Sequence, residues 1–339
     1  MGEITSNNPY LLDTFRSVWL NHFGDGEQPM AFSFVNSLTF IKHKKLPIYH
    51  NTGMTNTKGI NYKLSNSISN DFKGKVFIIC DVQGFINENN LEDTNLGCYR
   101  VKQYPGYICD LKDYNSLQDY MLGVISKKSR YKFNSYKRKL ESSYKIHYRM
   151  YIDNITPELY ENLFSHFKRL LKKRFFDKKT VNNNLNPDEW AFYKEVTLPM
   201  ILNKEAGLFV VYDDDKPIAI TLLNFSKNKM VDVMRVFDID YSKFRLGTVS
   251  IMKQLEWCIK NNFEALDFSK GYYEYKKRWA NKPYWFEHHI YYDKSSLIAK
   301  ILATLHKLFF AFKLFLRKKH ITNYIHELNF FLNKKKYAE

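Results

Sequence analysis

The spacing of apolar residues along the chain changes several times and predicts a succession of helices and strands. In the first third, the run YLLDTFRSVWLNHFG has the spacing of an amphipathic helix, and KVFIICDVQG is typical of a strand. A long helix is predicted over residues 115–143, and its last two thirds are strongly basic. The N-terminal third is therefore predicted to be mixed structure that ends in a basic helix.

A regular order of elements follows between residues 144 and 293. A strand comes first, then two helices, of which the first opens at Thr156 and Pro157, then three strands joined by tight turns. An amphipathic helix opened by Gly247, a strand, a short helix or turn and a last strand complete the order β-α-α-β-β-β-α-β-α-β. An antiparallel meander followed by a βαβ unit predicts an α/β (α+β) fold, with a mixed central sheet flanked by helices.

Positive charge is concentrated in three segments. The chain has 52 Lys and Arg against 35 Asp and Glu, which gives a formal net charge of +17. Residues 126–149 hold nine cations and one acid, residues 166–179 hold seven and one, and residues 297–339 hold nine and two. Charge placed so locally predicts anionic partners at defined sites, and nucleic acid, an anionic membrane and phosphorylated small molecules all fit.

Length, cysteine usage and the N-terminus narrow the class of protein. A chain of 339 residues suits two modest domains. Its four cysteines have no C-x-x-C spacing and no His-rich run beside them, so we predict neither a disulfide framework nor a metal site. The N-terminal residues lack a basic region followed by an apolar run, which predicts a cytoplasmic location.

The C-terminal segment 297–319 has the pattern of an amphipathic helix. Ten large apolar residues share one face of a helical wheel: Leu297, Ile298, Ile301, Leu302, Leu305, Leu308, Phe309, Phe312, Phe315 and Leu316. Cations occupy the other face and flank the segment, with basic triplets at 317–319 and 334–336. The pattern predicts an interfacial helix on an anionic membrane at its inner face, rather than a membrane span. Packing of the same face on the protein's own core or on a second subunit is the alternative.

The densest cluster of chemistry follows a strand. The segment ALDFSKGYYEYKKRWANK, residues 265–282, begins with the alternation of a buried strand and then turns at a glycine. Between Tyr272 and Ala280 it holds three tyrosines, three cations and a tryptophan. An aromatic mini-core with solvated lysines is the ordinary explanation of such a cluster. A role beside a reacting group is the other.

This segment resembles the GNAT acyltransferase superfamily, and in particular its two-domain branch. That branch includes the cellulose-biosynthesis-type acyltransferases and the Fem-type peptidyl transferases. The match to its strand–Asp–Phe–x–x–Gly–x–x–x–Tyr–Lys–x–x–Trp pattern consists of Asp267, Phe268, Gly271, Tyr275, Lys276 and Trp279. The basic helix SKKSRYKFNSYKRKLESS and the segment VFDIDYSKFRLGTVSIMKQLEW carry the rest of the resemblance, which covers residues 115–293 well and the N-terminal third weakly.

The resemblance implies tandem GNAT-like domains over residues 1–143 and 144–293, followed by a helical tail over 294–339. It implies transfer of an acyl group from acyl-CoA to an amine of a sugar, lipid or amino-acid-derived acceptor, in bacterial surface-glycan or lipid biosynthesis. A Fem-type enzyme would instead use aminoacyl-tRNA, whose phosphates the basic helix could contact. The net charge alone would also suit a nucleic-acid-binding protein without enzymatic activity.

The resemblance also implies binding residues. GNAT enzymes hold the donor pyrophosphate on backbone N–H groups at the start of a helix, which here implies Leu246, Gly247 and Thr248. Arg235 is a further candidate for the donor phosphates, and Arg174 for an anionic acceptor. Gly247 stands without the second small residue of the usual GNAT loop, which keeps aminoacyl-tRNA open as a donor. Gly247 could also serve only as a helix cap.

The implied catalytic residues surround the same cleft. Tyr275 would protonate the leaving thiolate and Lys276 would stabilise the oxyanion, while Trp279 would form a wall of the site. Asp238 ends one predicted strand and Asp267 lies on the next, so both could border the cleft, and each could take the proton of the amine. Each could equally cap a turn or anchor a loop.

Overall fold

The computed structural model describes residues 8–65, 69–84 and 95–319, together with residues 321, 327, 330 and 331. The strands in chain order are β1 (Phe40–Lys42), β2 (Ile48–Asn51), β3 (Val76–Gln83), β4 (Leu96–Asp110), β5 (Ile146–Tyr151), β6 (Ala206–Asp213), β7 (Lys216–Ser226), β8 (Lys229–Phe237), β9 (Ala265–Lys270) and β10 (Lys282–Asp293). The helices are α1 (Asp13–Phe23), α2 (Leu117–Val124), α3 (Lys127–Ser143), α4 (Pro157–Asp177), α5 (Pro187–Leu202), α6 (Leu246–Lys260), α7 (Glu274–Trp279) and α8 (Leu297–Lys318).

The chain forms two compact units. The first unit consists of Met1–Gly106, Lys270–Tyr272 and Pro283–Ile321. The second unit consists of Tyr107–Ser269, Tyr273–Lys282 and Thr322–Glu339.

The first unit is built on the strand order β1-β2-β3-β10-β4. Strands β2 and β3 are parallel, and β10 runs antiparallel to β3. One face of the sheet buries a dense aromatic cluster in which the Phe77 ring lies 4.6 Å from Phe32 and 4.7 Å from Phe34. Helix α8 covers the other face, where Ala299 and Ala303 are fully buried.

The second unit contains the strand order β9-β8-β7-β6-β5, with the last residues of β4 beside β9. Strands β6 to β8 form the predicted antiparallel meander, β5 pairs antiparallel with β6, and β8 and β9 are parallel. Strand β6 is buried at every position except its last, so both of its faces are covered. Helices α2, α3 and α6 share one apolar core with these strands, while α4 and α5 also pack against the sheet. The predicted mixed sheet flanked by helices is confirmed.

The two units differ from the predicted domain ranges in two respects. Helix α3, predicted as the end of the first domain, belongs to the second unit because Phe133 and Leu140 are buried in its core. Helix α8, predicted as a separate tail, belongs to the first unit because its alanines fill space beside β3. The long basic helix is also divided, since Ser126 accepts a hydrogen bond from the Ser129 N–H and starts α3 afresh.

Helix α8 does not bury its large apolar face on the core of its unit. Eight of the ten residues on that face are exposed, so the packed alternative that involves the protein's own core is wrong for the described residues. Within the described ranges, no helix is long and apolar enough to cross a membrane. The basic triplet at 334–336 lies outside the described residues.

Candidate active site in the second unit

The parallel strands β8 and β9 separate towards their ends. In the described residues they pair at three positions, from Lys229 opposite Ala265 to Val231 opposite Asp267. Strand β8 then continues to Phe237 and β9 to Lys270 without further pairing between them. The strands are therefore unpaired where Arg235 of β8 lies against Phe268 of β9.

Tyr275 lies at this opening. Its ring meets the Phe268 ring of β9 edge-on, with the two centroids 5.8 Å apart. The Arg235 guanidinium of β8 lies 5.7 Å from the Tyr275 ring and 5.3 Å from the Phe268 ring. Burial raises the pKa of Tyr275, and the positive charge of Arg235 only partly opposes that rise. The phenol is therefore neutral near pH 7 and can donate a hydrogen bond.

A cavity of about 520 Å³ opens beside Tyr275. Its lining residues are Lys128, Ser129, Lys132, Phe133, Tyr136, Arg245, Thr248, Tyr275 and Arg278. Helix α3 supplies five of them at a spacing that places them on one helical face. The described lining contains four cations and no carboxylate, so the cavity favours an anionic ligand.

The start of α6 forms one wall of the cavity. Arg245 precedes the helix in the left-handed conformation, with φ 54° and ψ 42°, and no side chain caps the helix. The Thr248 and Val249 N–H groups already donate to the Arg245 carbonyl, at 2.8 and 3.3 Å, so the backbone favours an anion here through the helix dipole, which is positive at this end. Thr248 and Arg245 therefore border a place where backbone and side chains both favour a phosphate.

Comparison with known proteins identifies this part of the chain. Residues 127–277 match the family model described as an acetyltransferase (GNAT) domain. These residues form a GNAT domain. No match to the chain is found among curated proteins.

Several solved structures share the fold of most of the chain. FemX aligns with a TM-score of 0.56 and 11% identity, over 90% of this chain and 96% of its own. The C-terminal domain of a protein described as a lysylphosphatidylglycerol synthetase, from Agrobacterium fabrum, aligns with a TM-score of 0.53 and 9% identity. The alignment covers 89% of this chain and 92% of that domain. L-PGS from Bacillus licheniformis aligns with a TM-score of 0.51 and 13% identity, over 91% of this chain and 98% of its own. These identities establish the fold alone, and the predicted resemblance to the two-domain GNAT branch is confirmed.

The GNAT domain brings only part of the predicted site together. Tyr275 and Thr248 both line the cavity. Leu246 is fully buried in the core, so only its backbone can contribute to the anion site. Packing alone explains the glycine at position 247, because a Cβ at Gly247 would lie 2.8 Å from the Phe237 ring. The glycine allows α6 to start close to β8.

Asp238 is held in an ion pair. The side chain is buried, and its Oδ1 accepts hydrogen bonds from Lys173 Nζ at 2.6 Å and from the Asp240 N–H at 3.2 Å. Burial acts to raise the pKa of Asp238, but these hydrogen bonds outweigh it and hold the pKa below the usual range. Asp238 caps the turn before α6 and is not a lining residue of the cavity.

Asp267 and Arg235 belong to buried polar networks. Asp267 Oδ1 accepts from the Ser269 N–H at 2.8 Å, and its Oδ2 lies 3.8 Å from Lys229 Nζ. Arg235 is paired with Asp232 and donates to Gln254 Oε1 at 3.0 Å. These partners engage Arg235 within the protein, so its role as a direct phosphate ligand has no support in the geometry.

The neighbours of Tyr275 on α7 hold that helix in place. Lys276 is buried, and its ammonium donates to the Ser269 carbonyl at 3.3 Å rather than lining the cavity. Trp279 is also buried and stacks on Phe133 with the two ring centroids 4.9 Å apart. Both residues therefore position Tyr275 and do not surround a ligand themselves.

Arg174 lies near the end of α4 against β8. Its guanidinium is 3.8 Å from the centroid of the Phe237 ring, and burial lowers the pKa of Arg174. One buried nitrogen, Nη1, has no hydrogen-bond partner among the described residues. An unpaired buried donor of this kind is costly unless a ligand satisfies it.

From the sequence, the basic helix was expected to contact phosphates only in the tRNA-dependent alternative, and neither individual residues of α3 nor Arg245 and Arg278 were among the predicted site residues. Lys128, Lys132, Arg245 and Arg278 supply the positive charge of the cavity. The charge density of residues 126–149 was the available signal, but charge density does not say which face of the helix meets a ligand. Clusters of three or more potential metal-ligating side chains do not occur in the described part of the chain.

Proposed function

We propose that the GNAT domain is an N-acyltransferase that moves an acyl group from acyl-CoA to an amine. The observation that carries this proposal is the cationic cavity at the start of α6, with a neutral, protonated Tyr275 on its wall. The four cations and the positive end of the α6 dipole suit the phosphates of the donor. The opening between β8 and β9 suits its acyl-bearing arm.

In the proposed reaction the free amine attacks the thioester carbonyl, a C–N bond forms and the C–S bond breaks. The amine loses one proton to solvent, because none of the described residues lining the cavity is a carboxylate. The leaving thiolate takes the phenolic proton of Tyr275, which regains one from solvent. Lys276, Asp238 and Asp267 take no part in these steps; they hold α7 and the strand ends in position.

Arg174 supports an acceptor with an anionic group. Its unpaired Nη1 would be satisfied by a carboxylate or phosphate, and Arg174 and Tyr275 lie close enough to influence each other's pKa. We infer an amine on a sugar, lipid or amino-acid-derived compound that also carries negative charge. A cytoplasmic enzyme of bacterial surface-glycan or lipid biosynthesis, working at the inner membrane face, remains our proposal for its setting.

A Fem-type transferase is the second candidate. The cations of α3 could contact tRNA phosphates, and the fold is similar to that of FemX. The two candidates share the chemistry at Tyr275 but differ in the donor. The GNAT domain itself argues against a nucleic-acid-binding protein without enzymatic activity.

Ligand-induced stabilisation distinguishes the donors. Acyl-CoA at 100 times its dissociation constant should stabilise the second unit by about 2.7 kcal/mol, seen as a raised melting temperature. Stabilisation by aminoacyl-tRNA with no effect of acyl-CoA would instead favour the Fem-type enzyme.

The rate of acyl transfer then tests the role of Tyr275 as the general acid. Tyr275→Phe should bind acyl-CoA like the parent but transfer the acyl group about 100-fold more slowly. Tyr273→Phe is the matched control, since this neighbouring tyrosine is exposed and does not line the cavity. Equal rates for Tyr275→Phe and the parent would remove Tyr275 from the chemistry.

A further inference from the structure

We propose that helix α8 docks the protein on an anionic lipid surface through its exposed apolar face. Each of eight large side chains on this face is between 51% and 72% exposed: Leu297, Ile298, Ile301, Leu305, Leu308, Phe309, Phe312 and Phe315. Single exposed apolar residues are normal on soluble proteins, but a continuous face of this size marks a binding surface. The inference does not depend on the transferase reaction.

The helix is packed on its own unit through the opposite face. Ala299 and Ala303 are fully buried, and the Phe310 ring meets the His288 ring edge-on at 4.7 Å. Arg317 also turns inward, donating to Gln103 Oε1 at 2.8 Å with its guanidinium 4.0 Å from the Tyr104 ring. These contacts fix the rotation of α8 about its axis and leave the large apolar residues outside.

The charges that border the apolar face suit an anionic surface. Helix α8 contains no acidic residue. Lys300, Lys307 and Lys318 are seven and eleven residues apart, a spacing that places them along one edge of the apolar face, and Lys313 lies near the other edge. Lysines in this position extend to the level of lipid phosphates while the apolar residues enter the acyl region.

A second copy of the chain fits the same face less well. Two α8 helices packed face to face would bring their flanking lysines together, and the described helix offers no carboxylate to balance them. An anionic bilayer supplies both the apolar interior and the opposite charge, and each lysine near such a surface adds to the attraction.

The experiment is co-sedimentation of the full chain with vesicles. Binding to phosphatidylglycerol-containing vesicles should exceed binding to phosphatidylcholine vesicles, and it should weaken at high salt because part of the attraction is electrostatic. The double variant Phe309→Glu/Phe312→Glu should bind the anionic vesicles at least about tenfold more weakly, since two large apolar side chains no longer leave water. Its melting temperature should equal that of the parent, because both residues are exposed.

The control is Leu202→Glu, which places a carboxylate at an equally exposed leucine at the end of α5. This variant should bind vesicles like the parent. Absence of vesicle binding by the parent, or equal binding by the double variant, would overturn the proposal. A concentration-dependent dimer that the same double variant abolishes, without vesicle binding, would assign the face to a second copy instead.

Discussion

Helices α3 and α8 are both basic and amphipathic, yet they present opposite faces to their units. Helix α3 buries Phe133 and Leu140 and directs Lys128 and Lys132 into a cavity. Helix α8 buries only Ala299 and Ala303 completely and leaves its large apolar residues in solvent. An amphipathic pattern therefore identifies two faces of a helix but does not say which of them is buried.

The size of the residues that meet the core decides the outcome. Phe133 fills space beside Trp279, which needs a large partner for its ring. The alanines of α8 belong to one buried cluster with Val76, Ile78 and Ile290, and small side chains allow the helix to approach this sheet closely. A face of large residues would hold α8 further from the sheet and lose those contacts.

The largest difference in stability between the two helices should appear when one phenylalanine of each is replaced by alanine. Phe133→Ala should destabilise the second unit by about 3–5 kcal/mol, because it removes a buried ring and leaves a cavity. Phe309→Ala should change the free energy of unfolding by less than about 0.5 kcal/mol, because the ring is half exposed. Denaturant unfolding followed by tryptophan fluorescence measures the first and far-UV circular dichroism the second. Similar losses for both variants would mean that α8 is packed after all.

Enlarging an alanine in α8 should have a smaller but clear effect. Ala303→Leu places extra methylenes in a fully buried position and should cost about 1–3 kcal/mol. Ala311→Leu makes the same change at an exposed position of the same helix and should cost less than about 0.5 kcal/mol. Melting temperatures compare the pair directly. If the two variants melt together, the alanines do not set the orientation of α8.

The smallest expected effect distinguishes the ligands of the two helices. Lys128→Ala/Lys132→Ala should lower the affinity for acyl-CoA about tenfold, or about 1.4 kcal/mol, and leave vesicle binding unchanged. Lys300→Ala/Lys318→Ala should leave the affinity for acyl-CoA unchanged. The double variant should weaken binding to anionic vesicles by about 1 kcal/mol per lysine. Calorimetric titration and co-sedimentation give the two affinities.

The control for the first pair is Lys127→Ala/Arg138→Ala, which removes the same charge from another face of α3. Equal loss of acyl-CoA affinity in the control would mean that net charge, and not the cavity, attracts the donor.

Much of the fold could be predicted because it depends on periodicity. The meander β6–β8, the proline-opened helix α4 and the strand that leads to Tyr275 all follow from local patterns. The assignment of α3 and α8 to units could not be predicted, because it depends on partners far away in the sequence. Phe133 meets Trp279, and Ala303 meets residues of β3 and β10.

The candidate site was predicted less completely than the fold. Of the predicted site residues, Tyr275 and Thr248 line the same cavity, which keeps both in the candidate site. Lys276, Asp238 and Asp267 have the residue types that catalysis needs, but they are engaged by Ser269, Lys173 and Lys229. A linear pattern cannot reveal such pairs, because each charge is paired with a residue from another element.

The stacking of Phe133 on Trp279 limits how the cavity could be redesigned. The Trp279 carbonyl accepts hydrogen bonds from Tyr120 and from Cys109 Sγ, which fix the end of α7 in addition to the stack. A smaller side chain at Phe133 or Trp279 would allow α7 to shift. Tyr275, which lies on α7, would then move relative to the rest of the cavity. An engineer seeking a different donor would therefore leave the stack intact and exchange Ser129, which lines the cavity from α3.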